Sequence, residues 1–314
     1  MIPAFKPDAR LRVALESVLC QAPPSDQMQI TVVDDASPSG SVARLVRSID
    51  PSHRVDVVSH DRRLGLAGNW NRAIALARGH LVHLLHQDDA VRPGFYAAMD
   101  RGFRHADDIG MAFCRSRIVD DHDRLIKTTS RQQWLAGVLA NWLPTIAERQ
   151  RIQTPAAVVA RATYESVGGY RHDLCHALDW EMWVRIAARY RVWYEPRPLA
   201  FYRRHVANET SRLFATGAVW PDMAKAMRIN AATLPDSIRE TTLAASVRWH
   251  ASSAMRTAER QLANGCTSEA AATLRAIPDL LDVLDGRAAQ GVAARRLAAL
   301  RARLRTDHDL RRAA

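Results

Sequence analysis

Two pairs of adjacent aspartates follow short apolar runs in the first third of the chain. Asp34 and Asp35 end the segment QITVVDD, and Asp88 and Asp89 follow the apolar run Leu81 to Leu85. Carboxylates gathered at one place repel each other unless a positive group lies between them, and a hard divalent ion with oxygen ligands meets that need. A bound nucleotide also offers hydroxyl and imide donors that carboxylates accept. Both pairs are therefore candidates for holding a cation or a nucleotide.

The elements around these pairs alternate between strand and helix patterns. The strand patterns are QITVVDD, RVDVVSH, HLVHLLH and GMAFCRS, and the helix patterns are SVARLVRSI, GLAGNWNRAIALARG and a segment that starts near Asp8. Alternation of this kind about every 10–15 residues is typical of a parallel α/β sheet. The carboxyl ends of parallel strands face the ligand crevice, so we expect both aspartate pairs at one rim. The acidic turn VDDHDR, by contrast, is interpreted as a solvated hairpin loop.

The second half of the chain has a looser pattern. TPAAVVARATYESVGGY predicts a strand, a short helix and a Gly-Gly turn, DWEMWVRIAARY a helix, and RVWYEPRPLAFYRRH an extended segment that ends in a basic cluster. Beyond about Leu213 the chain is Ala-rich, and two segments there resemble a helical hairpin. We therefore expect an α/β domain over residues 1–215 and a helical C-terminal region over residues 216–314.

Composition limits the class of protein. The chain has 314 residues, 47% of them hydrophobic, and no apolar run of 18 residues that would span a membrane. The four cysteines are far apart and form no C-x-x-C pair, which predicts neither a zinc site nor a disulfide framework. Pro3 stands where a signal peptide would have its apolar core, so we expect no secretory signal and a cytoplasmic location.

The net charge of +11 suits partners that carry phosphate, such as nucleic acid, nucleotides or anionic lipid head groups. Three of the 44 basic residues are lysines and 41 are arginines, a bias that a GC-rich genome explains equally well. The basic residues are spread along the chain without a recognised nucleic-acid-binding motif. A basic nucleic-acid-binding protein is thus an alternative, but no nucleic-acid partner is expected.

Seven segments together resemble glycosyltransferase family 2. In chain order, over roughly residues 1–210, they are IPAF, VVDDAS, GLAGNWNRAI, LLHQDDAVRPGF, VGGYRHD, LDWEMWVRIA and FYRRH. The resemblance implies a GT-A fold, a mostly parallel, Rossmann-like sheet flanked by helices, here with a C-terminal helical extension. It also implies a bacterial transferase that moves a sugar from a nucleotide-diphospho-sugar to a glycan or lipid-linked acceptor in polysaccharide or glycolipid synthesis.

The resemblance assigns residues to the nucleotide. Pro3, Ala4 and Phe5 would form the first nucleotide-binding loop, with Phe5 near the base. Asp35 would accept a hydrogen bond from the base imide, which favours a UDP- or dTDP-sugar, and Asp34 would support that loop. Three further residues would lie near the nucleotide or its phosphates: Asn69, Asn71 and Arg72.

The resemblance also assigns the metal and its surroundings. Asp89 would ligate Mg²⁺ or Mn²⁺ bridging the diphosphate, and Asp88 would hold the ribose or a metal-bound water. Arg203 and Arg204 would add positive charge to the diphosphate, and His205 would reach the metal.

Transfer with inversion needs a base that takes the proton of the attacking hydroxyl. Asp179 matches the position of the family's base. Glu181 is the reserve candidate, because two residues on a helix point about 200° apart and only one of them can face the crevice. The neighbouring Trp180 and Trp183 are interpreted as core, and Gly168 and Gly169 as a turn.

The chain departs from the family at its first strand and at its end. Only Met1 and Ile2 precede Pro3, so we expect a short first strand and a looser nucleotide pocket. No Q-x-x-R-W motif occurs, which favours single sugar addition over processive synthesis. Near the end, an apolar stripe lies among arginines: Leu297, Leu300 and Leu304. Such a helix could lie on an anionic membrane at its inner face or pack on its own domain.

Other enzyme classes fit less well. A nucleotidyltransferase of related fold would carry a Gly-rich phosphate loop after the first strand, and PAFKPDARL has no glycine. G-x-G-x-x-G and G-x-x-x-x-G-K-[ST] are both absent, which argues against a dehydrogenase and a P-loop enzyme. A binding module without activity would not need the set Asp35, Asp89 and Asp179.

Overall fold

A computed structural model describes residues 1–38, 40–205, 209–284, 297–302 and 304. Contacts divide the chain into two compact units. The first comprises residues 1–142, 151–172 and 189–204, and the second residues 143–150, 173–188 and 205–314. Two segments from the middle of the chain thus belong to the second unit, and the boundary at residues 215/216 stays a prediction.

The first unit opens with alternating strands and helices, as the sequence predicts. The elements are β1 (Ile2–Ala4), α1 (Arg10–Leu19), β2 (Thr31–Asp34), α2 (Ser41–Ile49), β3 (Asp56–Ser59) and α3 (Gly65–Leu76). The three strands form a parallel sheet in the order β1-β2-β3. Helix α1 forms because its apolar residues recur every three or four positions, and the buried ones are Leu11, Ala14, Leu15 and Val18.

A second sheet of seven strands continues the first unit. Its strands are β4 (Leu81–His83), β5 (Ala90–Val91), β6 (Ile109–Val119), β7 (Leu125–Thr128), β8 (Gly137–Val138), β9 (Ala157–Ala160) and β10 (Arg191–Arg203). The path β4-β9-β6-β10-β5 is mixed, with β6 and β10 parallel and the other pairs antiparallel. Strands β6 and β7 form the predicted hairpin around the acidic turn. The helices α4 (Phe95–Phe103) and α6 (Arg161–Val167) complete this unit.

Strand β1 is short, and Met1 connects it to the second sheet. The Met1 ammonium donates a 2.9 Å hydrogen bond to the His83 carbonyl, and the Met1 carbonyl accepts one of 3.1 Å from the Leu85 amide. The carboxyl end of β4 therefore lies beside the start of β1.

The second unit is helical in its described residues. It contains most of α5 (Trp142–Glu148), then α7 (Leu178–Ala187), α8 (Glu209–Thr216), α9 (Val219–Thr233), α10 (Asp236–Ala263) and α11 (Thr267–Leu281). Trp180 and Trp183 are core residues, and the Trp180 indole donates a 2.7 Å hydrogen bond to the Ile146 carbonyl. Helices α10 and α11 pack together as the predicted hairpin.

The apolar stripe near the end of the chain is largely buried. Leu297 and Leu300 are only 7% and 6% exposed, and Arg301 donates a hydrogen bond to the Leu274 carbonyl of α11. This favours packing on the chain's own helices over membrane contact through the stripe. Arg295, Arg296, Arg303 and Arg305 lie outside the described residues. Among the described helices, none combines the length and the hydropathy that crossing a bilayer requires.

Candidate active site

The first aspartate pair supports the loops at the carboxyl end of β2. The carboxylate of Asp34 accepts hydrogen bonds from the Ser37 amide and the Ser59 hydroxyl, both at 3.1 Å. The two oxygens of Asp35 accept the amides of Leu64 and Gly65 at the start of α3, at 2.6 and 3.0 Å. Negative charge at a helix start is favourable, so Asp35 fixes the entry into α3.

The loop after β1 is joined to the second aspartate pair through Gln87. The Phe5 amide donates to Gln87 Oε1 at 3.0 Å, and Gln87 Nε2 donates to the Phe5 carbonyl at 3.1 Å. The Ala4 carbonyl accepts the Asp35 amide at 2.8 Å. The guanidinium of Arg63 covers the Phe5 ring at 3.8 Å from its centre and lies 3.7 Å from Asp35. Pro3 is buried within β1. The two aspartate-bearing loops therefore meet at the carboxyl ends of β1 and β4.

The asparagines of α3 make contacts within the protein, and their predicted place near the nucleotide stays a prediction. Asn69 is buried, donates to the Val33 carbonyl at 3.1 Å and lies 3.2 Å from His60 Nε2. Asn71 exchanges hydrogen bonds with the backbone of Tyr170, at 2.9 and 2.6 Å. Arg72 is exposed. The asparagine side chains therefore hold α3 in place.

The contact between Asn71 and the backbone of Tyr170 requires the Gly-Gly turn after α6. Gly168 has a φ of 86°, which an L side chain rarely adopts. A Cβ at Gly169 would lie 2.5 Å from Asn71 Oδ1. Both glycines thus serve the turn and its close approach to α3, in agreement with the interpretation from sequence.

Three side chains after β4 form a cluster with the chemistry of a metal site. His86, Asp88 and Asp89 each offer a ligand atom, and these atoms all lie within 4.8 Å of one another. Asp89 Oδ2 is buried and accepts no hydrogen bond from the described residues. His86 Nδ1 lies 3.3 Å from this oxygen. The His86 ring stacks on Trp70 at 4.8 Å between centroids. Nitrogen and carboxylate ligands around an unsatisfied buried oxygen fit Mg²⁺ or Mn²⁺.

Burial changes the acidity of this cluster. Asp89 is only 2% exposed, and burial, together with the charge of Asp88, raises its pKa to about 6. Burial disfavours the charged form of a carboxylate, and a second carboxylate adds repulsion. A divalent cation would offset both effects, so the chain holds Asp89 in a state that favours cation binding.

Arg203 fixes the position of this cluster from within the protein. Its amide donates to Asp89 Oδ1 at 2.8 Å, and its guanidinium contacts the carbonyls of Asp88 and Asp120 at 3.1 and 3.0 Å and Asp123 at 2.6 Å. Arg203 is only 4% exposed. Arg203 therefore positions this cluster and the side chain of Arg204 is exposed, while the contact of both arginines with a diphosphate stays a prediction.

The candidate bases lie in the second unit. Glu181 is buried and makes a bidentate ion pair with Arg185, at 2.9 and 2.7 Å. Arg185 thereby engages both carboxylate oxygens of Glu181, and the choice between Asp179 and Glu181 as base stays a prediction. Asp179 lies in the first turn of α7, and one of its oxygens accepts the Trp180 amide at 2.7 Å. His205 belongs to the same unit, and its carbonyl accepts the Ser211 hydroxyl at 2.9 Å.

Residues 1–167 match the family described as glycosyl transferase family 2. The chain belongs to this family. An uncharacterized protein of Mycobacterium tuberculosis is 30% identical over 235 residues, which cover 68% of this chain and 69% of that protein. The succinoglycan biosynthesis protein ExoO of Rhizobium meliloti is 38% identical over 80 residues, 26% of this chain and 22% of that protein. The chain is therefore a transferase of glycosyl transferase family 2.

Solved glycosyltransferase structures share the fold. Staphylococcus aureus TarS in complex with UDP-GlcNAc has a TM-score of 0.68 at 16% identity, over 98% of this chain and 87% of that one. The mannosyltransferase PcManGT of Pyrobaculum calidifontis, in complex with GDP-Man and Mn²⁺, has a TM-score of 0.55 at 18% identity, over 96% and 78%. These likenesses confirm the predicted GT-A fold.

Sequence reasoning missed two residues beside the second aspartate pair. His86 joins the carboxylate cluster, and Gln87 joins the loops after β1 and β4. The only available signal was their place within HQDD, because a polar residue just before an acidic pair has many possible partners. Which partner each of these two residues contacts depends on the packing of the first sheet against the second, which the local sequence does not encode.

Proposed function

We propose that the chain is an inverting, non-processive glycosyltransferase that uses a nucleotide-diphospho-sugar, a UDP- or dTDP-sugar being favoured, and a divalent cation. The observation that carries this proposal is the cluster of His86, Asp88 and Asp89 around the unsatisfied Oδ2 of Asp89. The Mn²⁺ and nucleotide-sugar in solved relatives of the same fold support it.

Asp89, Asp88 and His86 would hold Mg²⁺ or Mn²⁺. Bound there, the ion supplies positive charge to a leaving diphosphate, a contribution of several kcal/mol. The Arg203 amide holds the Asp89 carboxylate and its guanidinium holds the Asp88 backbone carbonyl, and Arg204 is exposed and available to the phosphates. His205 remains a further candidate ligand from FYRRH.

The base of the donor would lie beside Phe5 and Asp35. Each Asp35 oxygen already accepts one backbone amide and retains a lone pair for an imide N–H. Uracil and thymine carry such an imide N–H, so the acceptor oxygens of Asp35 favour these two bases. A base that stacks on Phe5 would take the place of the Arg63 guanidinium, which covers that ring.

Asp179 would take the proton of the acceptor hydroxyl as it attacks the anomeric carbon. Arg185 engages both oxygens of Glu181, and Asp179 matches the position of the family's base, so Asp179 is the favoured acidic residue of α7. General-base catalysis of this kind contributes typically 10²–10⁴-fold in rate. The similarity to ExoO supports an acceptor in polysaccharide or glycolipid synthesis.

The test is calorimetric titration of UDP into the purified protein, with Mn²⁺ and with EDTA. We expect binding that requires both the metal and Asp89, so Asp89→Ala should abolish it. The matched control is Asp56→Asn, which changes an exposed carboxylate at the amino end of β3 and should leave binding intact. Metal-independent binding would refute the metal site. Absence of binding to UDP, dTDP and GDP alike would refute the transferase proposal.

A further inference from the structure

Exposed apolar side chains of the first unit concentrate in one short segment of the chain. Among the described residues, seven large hydrophobic side chains are exposed, and four of them lie within eleven positions of one another. Leu125 and Ile126 on β7 are 50% and 49% exposed, and Trp134 and Leu135 in the following loop are 79% and 78% exposed. We call these four side chains, with Lys127 and Arg131 between them, the 125–135 surface. Trp134 and Leu135 are adjacent and the most exposed of the four, and neighbouring exposed apolar side chains mark an interaction site more often than scattered ones do.

Hydrogen bonds hold the loop that carries Trp134 and Leu135. The Thr129 amide donates to the Ser116 carbonyl, and Arg115 Nε donates to the Thr129 carbonyl, both at 2.9 Å. The Gln132 amide donates to the Tyr194 hydroxyl at 3.1 Å. The exposed pair is therefore presented by a loop fastened to β6 and β10.

The charge on this surface is positive. The Arg131 guanidinium lies 4.3 Å from the centre of the Trp134 ring, and Lys127 is exposed between the apolar positions. In the part of the chain that the structure describes, neither basic residue has an acidic partner within ion-pair distance.

Arginines engage the nearby acidic turn. Asp120 pairs with Arg124 at 2.7 Å, Asp121 with Arg10 at 3.2 Å, and Asp123 with Arg203 at 2.6 Å. Each carboxylate of the turn is thereby paired with an arginine of the protein, and the charges of Lys127 and Arg131 remain for an external partner.

We propose that the 125–135 surface binds an anionic lipid bilayer, with Trp134 and Leu135 in the interfacial layer and Lys127 and Arg131 facing the head groups. Tryptophan favours the membrane–water interface because its ring is apolar and its N–H is polar. Each basic residue near an anionic surface adds about 1 kcal/mol, and the chain's net charge of +11 acts in the same direction. This assigns membrane contact to a loop of the first unit instead of the C-terminal leucine stripe, and it does not depend on the transferase activity.

The test is sedimentation of the full chain with vesicles of phosphatidylcholine alone and of equal parts phosphatidylglycerol and phosphatidylcholine. We expect binding to the anionic vesicles that weakens with salt. The double variant Trp134→Ser/Leu135→Ser should bind about tenfold more weakly, and Lys127→Gln about fivefold more weakly. Val13→Ser, which removes an exposed aliphatic side chain of α1, is the matched control and should bind as the wild type does.

Tryptophan fluorescence supplies a second readout. Trp134 is exposed, whereas the other seven tryptophans are buried or half-buried. Brominated lipid in the anionic vesicles should therefore quench the wild type, and Trp134→Phe should remove most of that quenching. The double variant should retain the wild-type nucleotide titration, which separates this proposal from the transferase proposal.

Three results would overturn the proposal. The first is equal vesicle binding by the wild type and the double variant. The second is equal binding to neutral and anionic vesicles. The third is self-association in sedimentation velocity that needs Trp134 and Leu135, without vesicle binding, which would assign the surface to a second copy of the chain.

Discussion

Replacing Asp89 with asparagine should stabilise the metal-free protein at neutral and alkaline pH. The folded state raises the pKa of Asp89 from 3.8 to about 6 through burial and the charge of Asp88. One pKa unit corresponds to about 1.4 kcal/mol, so ionising this buried carboxyl costs about 3 kcal/mol of stability. Asp89→Asn removes that cost and keeps an oxygen for the 2.8 Å hydrogen bond from the Arg203 amide.

The sign of the pH dependence follows from proton affinity. The folded state holds the Asp89 proton more tightly than the unfolded chain does, so stability from this group is complete below about pH 4 and lost as the pH rises through about 6. Burial lowers the pKa values of His83 and His250 to about 3 and about 4. The stability that these two histidines contribute therefore changes in the opposite direction, since it is lost as the pH falls below 6.5. Both histidines are present in the two proteins, so their effects cancel in the difference.

The assay is urea unfolding in EDTA across this pH range. The free energy of unfolding of Asp89→Asn minus that of the wild type should grow from near zero at about pH 4 to about 3 kcal/mol at about pH 8. At about pH 8, Mn²⁺ should then stabilise the wild type and leave the variant unchanged. A difference that stays flat with pH, or equal stabilisation of both proteins by Mn²⁺, would refute the reasoning.

Four further substitutions test the roles of positioning and catalytic candidates. Arg203→Lys cannot keep all three guanidinium contacts, so it should lower the free energy of unfolding by about 3 kcal/mol and weaken Mn²⁺-dependent UDP binding. A decrease of less than about 0.5 kcal/mol in urea unfolding would contradict the positioning role. Gly169→Ala places a Cβ 2.5 Å from Asn71 Oδ1 and should lower the free energy of unfolding by about 1–3 kcal/mol. An unchanged midpoint of urea unfolding would show that the turn accommodates the extra methyl group without strain. Asp179→Asn should lower the rate of UDP release from a UDP-sugar about 10²–10⁴-fold with UDP affinity kept, while Glu181→Gln should chiefly destabilise; the reverse pattern would identify Glu181 as the base.

The element order was readable from the sequence because local patterns determine it. In SVARLVRSI the apolar residues recur at helical spacing, and α2 buries Val42 and Val46 of that face. Boundaries were less accurate where a distant side chain intervenes. Helix α3 ends at Leu76, earlier than Gly79, because the Gln29 side chain takes up the Leu76 carbonyl and the Arg78 amide.

The roles of single site residues were harder to read, since they depend on partners far along the chain. FYRRH carries adjacent arginines that are indistinguishable in sequence. Strand β10 turns Arg203 inward under the Asp88–Asp89 loop and Arg204 outward. Alternation along a strand separates neighbours in this way, but which of the two faces inward depends on the register of β10 against β6.

The reciprocal amide contact between Gln87 and Phe5 has a thermodynamic consequence. Two hydrogen bonds, at 3.0 and 3.1 Å, join the loop that would contact the nucleobase to the loop that would contact the cation. The two loops should therefore move together. Ordering one loop therefore lowers the entropy cost of ordering the other, and by linkage each ligand raises the affinity for the other by the same factor. Gln87→Leu should weaken the part of this coupling that passes through the loops, so that Mn²⁺ raises the affinity for UDP by a smaller factor in titration calorimetry even with every charged group in place.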